Sequence, residues 1–213
     1  MLFRSVLLDE WRGFHPYTTW STCTFDNALE LTRQSEVVRV GVLRTYATRH
    51  GPGPFPTERA LGLPEPHNGH GPWQGAFRQG DLDLALLRYA IAACGGVDTL
   101  AVTHLDAKLP EWTVCARHQP EATDAGLFDA NGTPRLGRFR DLEHQARLTE
   151  ALLRVRPHLE RPFAHPTPKR VLGYLEGALG APVLLASAGP THLDVRPAQS
   201  TVMASPTVSV PCA

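Results

Sequence analysis

The chain has 213 residues, 42% of them hydrophobic, and its 21 basic and 21 acidic side chains give a formal net charge of zero. This length predicts one domain, and the balanced charge excludes any general attraction to nucleic acid or to an anionic membrane. No apolar run approaches ~18 residues, the opening MLFRSVLLDEW is too short for a signal peptide, and the four cysteines lack CxxC spacing, so we expect a cytoplasmic protein without a membrane-spanning helix.

Apolar periodicity and turn residues predict an alternation of short strands and helices. In chain order the predicted elements are the end of a strand at 5–11, a short helix at 27–34 capped by Asp26, a strand at 36–47, a helix at 81–94, strands at 97–106 and 111–118, a surface loop at 119–140, helices at 141–159 and 167–180, and a strand at 181–190. This alternation predicts an α/β fold in which helices flank a mostly parallel sheet. We expect one domain at 1–195 and a poorly ordered tail at 196–213.

Three polar turns follow predicted strands, at residues 48–57, 103–106 and 187–190. Ligands in open α/β sheets bind outside the carboxyl ends of the strands, so we expect these turns at one edge of a single sheet, with Asp106 and Ser187 bordering one pocket. The Asp106 carboxylate can accept two hydrogen bonds, from the ring N–H and the exocyclic amine of guanine, a donor pair that adenine lacks. Taken singly, however, a strand-end Asp is more often a helix cap or a turn residue.

The loop HNGHGPWQGAFRQGD, residues 67–81, combines several glycines with Trp73 and Arg78 just before a predicted helix. Glycines let backbone N–H groups approach an anion, and a helix N-terminus favours that anion. Arg78 can bind a carboxylate or a phosphate with two hydrogen bonds. The alternative is a plain surface loop, against which Trp73 argues. The HxxH pair at the start of the loop lacks a third ligand, so we predict no metal site there.

Four segments in chain order match one known family. TRHGPGPFPTE (48–58) resembles the TR-x-G-x-GPFPTE signature of adenylosuccinate synthetase, and VLLDEWRGFHPYTTWSTCT (6–24) resembles the family's LLD…PYVTSSNTT segment. WQGAFRQGDLD (73–83) lies where the family has its aspartate-binding loop. LAVTHLD (100–106) and SAGP (187–190) are similar to its T-K-LD and S-T-G-P guanine motifs. Matches in this order argue against chance, and the fold expected is the C-terminal part of an adenylosuccinate synthetase-like fold.

The resemblance implies a purine-biosynthesis ligase that joins L-aspartate to IMP with GTP and Mg²⁺ and acts as a homodimer. GTP phosphorylates the 6-oxygen of the purine, and the amine of aspartate then displaces that phosphate. The residues implied are Thr24 and His50 for IMP; Trp73, Gln74, Gly75 and Arg78 for the aspartate loop; and Arg78, His104, Leu105, Asp106, Ser187, Ala188 and Gly189 for GTP.

The chain departs from the family pattern in three ways. The family's phosphate loop, catalytic Asp and catalytic His belong to an N-terminal half that no part of this chain matches, so no catalytic or Mg²⁺-binding residue is assigned, and we expect a portion that is inactive alone. The arginine-rich aspartate loop is reduced to Arg78, and His104 replaces the lysine of the guanine site. Two alternatives stay open: the phage 2-aminoadenylosuccinate synthetase branch, which uses dGMP and tolerates ATP, and a non-catalytic nucleotide-binding remnant.

Overall fold

The computed structural model describes Phe14, Tyr17 and residues 24–34, 36–73, 75–109 and 111–198. These residues form four α-helices, two short 3₁₀ helices and three small sheets. In chain order the elements are α1 (Phe25–Thr32), β1 (Val40–Arg44), β2 (Ala47–His50), β3 (Phe77–Gly80), β4 (Leu82–Asp83), α2 (Leu84–Ala93), β5 (Thr99–Thr103), β6 (Val114–Gln119), a 3₁₀ helix (Ala122–Leu127), α3 (Leu142–Arg154), β7 (Arg156–Glu160), α4 (Pro168–Leu179), β8 (Val183–Ser187), a 3₁₀ helix (His192–Asp194) and β9 (Val195–Pro197).

The main sheet has the strand order β1-β5-β8-β9, in which the first three strands are parallel and β9 is antiparallel to β8. The central strand β5, with the sequence TLAVT, is buried over its first four residues. An apolar run of this kind is typical of a parallel strand that is covered on both faces. The predicted α/β class with mostly parallel pairing in the main sheet is therefore confirmed.

The predicted single strand at 36–47 is wrong, because the chain forms two strands in two different sheets. β1 ends at Arg44, and β2 then pairs antiparallel with β3 in a separate two-stranded sheet. The bend falls at Thr45, whose side chain donates a hydrogen bond to the backbone oxygen of His104 and whose own carbonyl accepts one from the indole of Trp112. These bonds replace the ladder contacts that a continuing strand would have made.

The predicted helix at 141–159 ends at Arg154, and residues Arg156–Glu160 form β7, which pairs antiparallel with β6. Pro157 explains the change, because a proline cannot donate the backbone hydrogen bond of a helix interior and excludes the residue before it from helical geometry. The third sheet therefore has the order β4-β6-β7. The segment at 119–140 was also predicted as loop throughout, but it contains a 3₁₀ helix and buries Phe128.

Other predicted elements hold with adjusted limits. Helix α4 begins after the N-cap Thr167 and ends at Gly180 as predicted, whereas α1 has Thr24 rather than Asp26 as its N-cap. The strand predicted at 5–11 and residues 199–213 of the predicted tail lie outside the described residues. Strand β9 spans Val195–Pro197, and the domain boundary at residue 195 stays a prediction.

Helix α2 lies between two apolar cores. Its residues Leu84 and Ala90 pack in the core of the main sheet, while Leu86 and Tyr89 pack in a second core against α3 and Phe128. One helix therefore joins the core of the main sheet to the core around α3. No helix within the described residues combines the length and apolarity that spanning a bilayer requires.

Gly132 lies close against the backbone of β6 in the third sheet. Its φ is +69°, and an added Cβ would lie 2.3 Å from the backbone oxygen of His118. Gly62 has a similar φ of +66° but has no atom within 4 Å of that position. Both alanine substitutions carry the cost of left-handed backbone, about 1–2 kcal/mol. We expect Gly132→Ala to lower the free energy of unfolding by about 1–3 kcal/mol more than Gly62→Ala, because the backbone of β6 must also move.

Denaturant unfolding of both variants measures this difference. Equal midpoints for Gly132→Ala and Gly62→Ala would contradict the proposed close contact with β6.

Candidate functional site

A cavity of about 720 Å³ lies at the carboxyl edge of the main sheet, where β1, β5 and β8 end. It brings together polar residues from all three predicted turns: Thr48, His50, His104, Asp106, Ser187 and Gly189. The prediction that Asp106 and Ser187 border one pocket is confirmed. The expectation of a single sheet is wrong, because Thr48 and His50 reach the cavity from β2 of the two-stranded sheet.

The two turns predicted to hold guanine are joined directly. The backbone N–H of Leu105 donates to the backbone oxygen of Ser187 at 3.1 Å, and the Ser187 hydroxyl donates to the oxygen of Gly189, also at 3.1 Å. Both turns follow neighbouring parallel strands, so their backbones arrive side by side. Asp106 is exposed at the end of the turn formed by residues 103–106. The arrangement presents a carboxylate and a row of backbone groups to the same space.

His104 is held in an uncommon backbone conformation, with φ at +60°. The hydroxyl of Thr45 donates to its backbone oxygen at 2.8 Å, the hydroxyl of Thr103 lies 2.9 Å from its Nδ1, and the ring of Tyr46 packs edge-on against the imidazole. A non-glycine residue with positive φ persists only when its surroundings fix it, and such residues cluster at functional sites. Burial, together with the nearby charge of Arg44, lowers the pKa of His104, so its ring is neutral at pH 7.

The turn after β8 requires glycine at position 189. A Cβ on Gly189 would lie 2.5 Å from the carboxyl carbon of Asp194. That carboxylate accepts hydrogen bonds from the backbone N–H of Thr191 at 2.9 Å and from its hydroxyl at 2.6 Å, and these bonds lower the pKa of Asp194. The backbone N–H of Ala188 also donates to the backbone oxygen of Asp194. Gly189 therefore leaves room for the Asp194 carboxylate that closes this turn.

Glu65 organises the loop that covers one side of the cavity, although no sequence motif pointed to it. Its carboxylate accepts hydrogen bonds from Arg44 at 2.5 Å, Tyr46 at 2.6 Å and Asn68 at 2.8 Å. Burial alone would raise the pKa of Glu65, but these donors outweigh it and lower the pKa. Asn68 also accepts from the His50 ring at 3.2 Å. The network fixes the loop against strand ends that line the cavity.

The side chain of Arg49 holds the loop rich in proline and glycine that follows β2. Its side chain is 7% exposed and donates to the backbone oxygens of Pro52 at 3.1 Å and Tyr17 at 3.1 Å. Burial, with a contribution from the nearby Arg78, lowers the pKa of Arg49 to about 10, so it remains charged at neutral pH. The guanidinium holds a loop whose prolines leave few backbone N–H groups to hold it otherwise.

The predicted aspartate-loop residues lie elsewhere. Arg78 lines a second cavity of about 580 Å³, where it donates to Glu58 at 2.7 Å and to the oxygen of Gly53 at 2.8 Å. Trp73 is 95% exposed at the tip of the loop, and Gly75 pairs with Gly71 across it. Gln74 lies outside the described residues. Thr24, predicted for IMP, is buried at the start of α1. The loop is thus folded back on itself instead of lining the larger cavity.

Sequence comparisons with known proteins match one family. A family model described as adenylosuccinate synthetase matches residues 3–148. The chain is 29% identical over 202 residues to the synthetase of Caldicellulosiruptor bescii, covering 90% of this chain and 47% of that protein. It is 32% identical over 210 residues to the synthetase of Desulforudis audaxviator, covering 91% of this chain and 46% of that protein. The chain spans about half the length of the curated relatives it matches.

A solved structure shows the same fold. The fully ligated adenylosuccinate synthetase from Plasmodium falciparum superposes with a TM-score of 0.67 at 20% sequence identity, over 91% of this chain and 48% of that one. The chain therefore shares its overall fold with about half of the solved chain.

Proposed function

This chain belongs to the adenylosuccinate synthetase family, and from that premise we propose that it supplies the guanine-binding portion of a ligase that joins L-aspartate to IMP with hydrolysis of GTP. The observation that carries the proposal is the shared cavity at the sheet edge, bordered by Asp106 and by the turn from Ser187 to Gly189. That edge is where ligands bind in open α/β sheets.

The guanine ring fits the donors and acceptors of these two turns. The Asp106 carboxylate would accept from the ring N–H and the exocyclic amine of guanine, and the backbone of the opposite turn would meet its carbonyl edge. The backbone N–H groups of Leu105 and Ala188 are already bonded, to Ser187 and to Asp194, so these two residues hold the turns in place. Gly189 leaves the space that a planar base needs. Two acceptors facing two donors distinguish guanine from adenine.

His104 favours a second candidate, an enzyme of the 2-aminoadenylosuccinate synthetase branch that tolerates ATP. The family has a lysine at this position, whereas the lowered pKa of His104 keeps its ring neutral at pH 7. A neutral imidazole supplies no positive charge and can accept as well as donate a hydrogen bond. Since His104 supplies no positive charge, the preference for GTP or ATP would depend mainly on Asp106.

IMP and L-aspartate are proposed to bind near the turn at residues 48–57 and the hairpin of β2 and β3. Thr24 and the backbone of His50 are the residues that match the family's IMP contacts. The aspartate loop, with Trp73, Gln74, Gly75 and Arg78, would bind the carboxylates of L-aspartate. Because Arg78 is already paired with Glu58, an incoming carboxylate would have to replace that partner, and the loop would have to turn towards the larger cavity.

Mg²⁺ does not fit the carboxylates of the larger cavity in the described residues. Mg²⁺ prefers an octahedron of oxygen ligands. Asp83 lies beside the thiol of Cys115 and the imidazole of His118, which are not ligands that Mg²⁺ prefers, so Asp106 is the remaining lining carboxylate. We place the Mg²⁺ ligands in the half of the family's fold that this chain does not match. A cytoplasmic homodimer is likewise proposed from the family alone.

Replacing Asp106 by asparagine tests the guanine site. The amide keeps one acceptor but turns a donor towards a donor of guanine. A lost charged hydrogen bond and an unpaired polar group cost about 1–3 kcal/mol each, so GTP binding to the purified chain is expected to weaken about tenfold or more. ATP binding is expected to change little. Asp26→Asn, an exposed aspartate on α1, is the matched control.

Titration calorimetry of the chain and both variants with GTP and ATP gives the result. Equal small losses for the two nucleotides would make Asp106 a structural residue and overturn the guanine assignment. Absence of GTP binding to the unsubstituted chain would overturn the proposed function itself.

A further inference from the structure

Three side chains of the types that bind transition metals converge inside the protein, away from the predicted guanine turns. Asp83, Cys115 and His118 each offer one ligand atom, and these atoms all lie within 4.8 Å of one another. All three residues are buried, with Asp83 at 4%, Cys115 at 0% and His118 at 2% exposure. Ionisable side chains are seldom buried in such a group without a role.

The fold builds this cluster through an irregular strand. Asp83 of β4 is the direct register partner of Cys115 in the parallel strand β6. Side chains three residues apart on a regular strand point to opposite faces, which would separate His118 from Cys115. A register shift between Cys115 and Arg117 in the pairing of β6 with β7 turns His118 back to the buried side. Such bulges re-aim side chains and are common next to functional sites.

The hydrogen bonds of the cluster leave one buried nitrogen without compensation. His118 Nε2 donates to one oxygen of Asp83 at 2.8 Å, and the other oxygen accepts from the N–H of Leu86 at 3.0 Å. The Cys115 thiol donates to the oxygen of Arg117 at 3.2 Å. Nδ1 of His118 is buried and has no hydrogen-bond partner among the described residues. Because Nε2 lies beside Asp83, it is the nitrogen that faces the cluster, and on metal binding it would exchange its hydrogen bond to Asp83 for a bond to the ion.

We propose that Asp83, Cys115 and His118 form a binding site for a thiophilic divalent cation of the zinc type. Thiolate, imidazole and carboxylate are the ligands that Zn²⁺ takes in proteins, whereas Mg²⁺ requires oxygen ligands. The site is therefore distinct in chemistry from the Mg²⁺ of the nucleotide reaction. Binding replaces the S–H bond of Cys115 by a sulfur–metal bond and releases the proton to solvent.

Charge and access both suit such a cation. One thiolate and one carboxylate balance the two positive charges of the ion, so the buried site becomes neutral overall. Asp83 also lines the larger cavity, which gives the ion a route of entry and leaves a position for water as a fourth ligand. Because binding releases the thiol proton, affinity should increase with pH.

Cobalt titration of the purified, reduced and chelator-treated chain tests the proposal without any nucleotide. Co²⁺ is expected to bind as a single equivalent with a thiolate-to-metal absorption band in the near ultraviolet, and Zn²⁺ should displace it. Loss of a supporting residue commonly weakens metal binding about 10–100-fold. Loss of the ligand itself in Cys115→Ser should abolish the band and weaken binding at least that much, and His118→Gln should weaken binding similarly.

Cys94→Ser is the matched control, since Cys94 is also buried but lies at the other end of α2, after Ala93. This variant should keep the band unchanged, and circular dichroism checks that each variant is folded. Failure of the unsubstituted chain to bind Co²⁺ with a thiolate band would overturn the proposal. Retention of the band in a folded Cys115→Ser would overturn it equally. Either result leaves the guanine site untouched.

Discussion

The 213-residue chain on its own is expected to form no detectable adenylosuccinate from IMP, L-aspartate, GTP and Mg²⁺. The resemblance places the phosphate loop, the catalytic Asp and the catalytic His in the half of the family's fold that this chain does not match. Loss of a single general acid or base commonly lowers a rate about 10²–10⁴-fold. Here a base, an acid and the groups that position the triphosphate would all be missing together.

A spectrophotometric assay of adenylosuccinate formation measures this directly. The synthetase of Caldicellulosiruptor bescii, which this chain matches over 47% of its length, is the positive control under the same conditions. Turnover by the purified chain above the uncatalysed background would contradict the expectation. It would also mean that catalytic groups lie within this chain, with His104 and Asp106 in the larger cavity as the first to substitute.

Complementation in trans separates the two ways in which activity can be missing. A chain that binds GTP without turnover is consistent with both a partial enzyme and a nucleotide-binding remnant. Supplying the missing half in trans, as the N-terminal half of the Caldicellulosiruptor bescii synthetase, then distinguishes them. Restored turnover favours the partial enzyme, because binding energy alone positions substrates but does not move protons.

Sequence reasoning found the parts of the cavity that follow from local rules. Asp106 and Ser187 end neighbouring apolar strands, and parallel strands bring their carboxyl ends to one edge, so their meeting could be predicted. Pro157 also indicated that α3 ends before it, but the prediction followed the helical periodicity and extended the helix to residue 159. These cases share one feature, because the information lies within a few residues of the position concerned.

The remaining features depend on contacts that are distant in sequence. Glu65 lies in an irregular loop, and its partners Arg44 and Tyr46 are 21 and 19 residues away. The cluster of Asp83 and His118 requires a bulge in β6 that no residue type announces, and its members are 35 residues apart. Periodicity describes which face a residue takes in a regular strand, so it places His118 on the wrong side of this irregular one.

Truncation of Trp112 is expected to have the largest effect on stability of any single change proposed. Trp112 is 2% exposed, stacks on Phe163 at 6.0 Å and packs edge-on against Tyr174 at 5.5 Å between ring centroids. Its indole N–H donates to the oxygen of Thr45 at 2.9 Å, at the bend between β1 and β2. Trp112→Ala should therefore lower the free energy of unfolding by about 3–5 kcal/mol.

Two further variants separate the contributions. Trp112→Phe retains an aromatic ring against Phe163 but leaves the Thr45 carbonyl without its donor, which should cost about 1–3 kcal/mol. Trp73→Ala removes an indole of the same size that is 95% exposed, and a surface change of this kind is expected within about ±0.5 kcal/mol. Guanidinium unfolding followed by circular dichroism should show shifted midpoints with unchanged slopes.

The order of the three midpoints decides the outcome. If Trp112→Ala unfolds no more easily than Trp73→Ala, the indole does not hold the bend, and the position of Thr45 must come from its other hydrogen bond, to His104. If Trp112→Phe is as damaging as Trp112→Ala, the hydrogen bond outweighs the ring packing. The expected order places Trp112→Ala lowest, because both the buried ring and the bond to Thr45 are lost together, and the cavity edge beside His104 loosens with them.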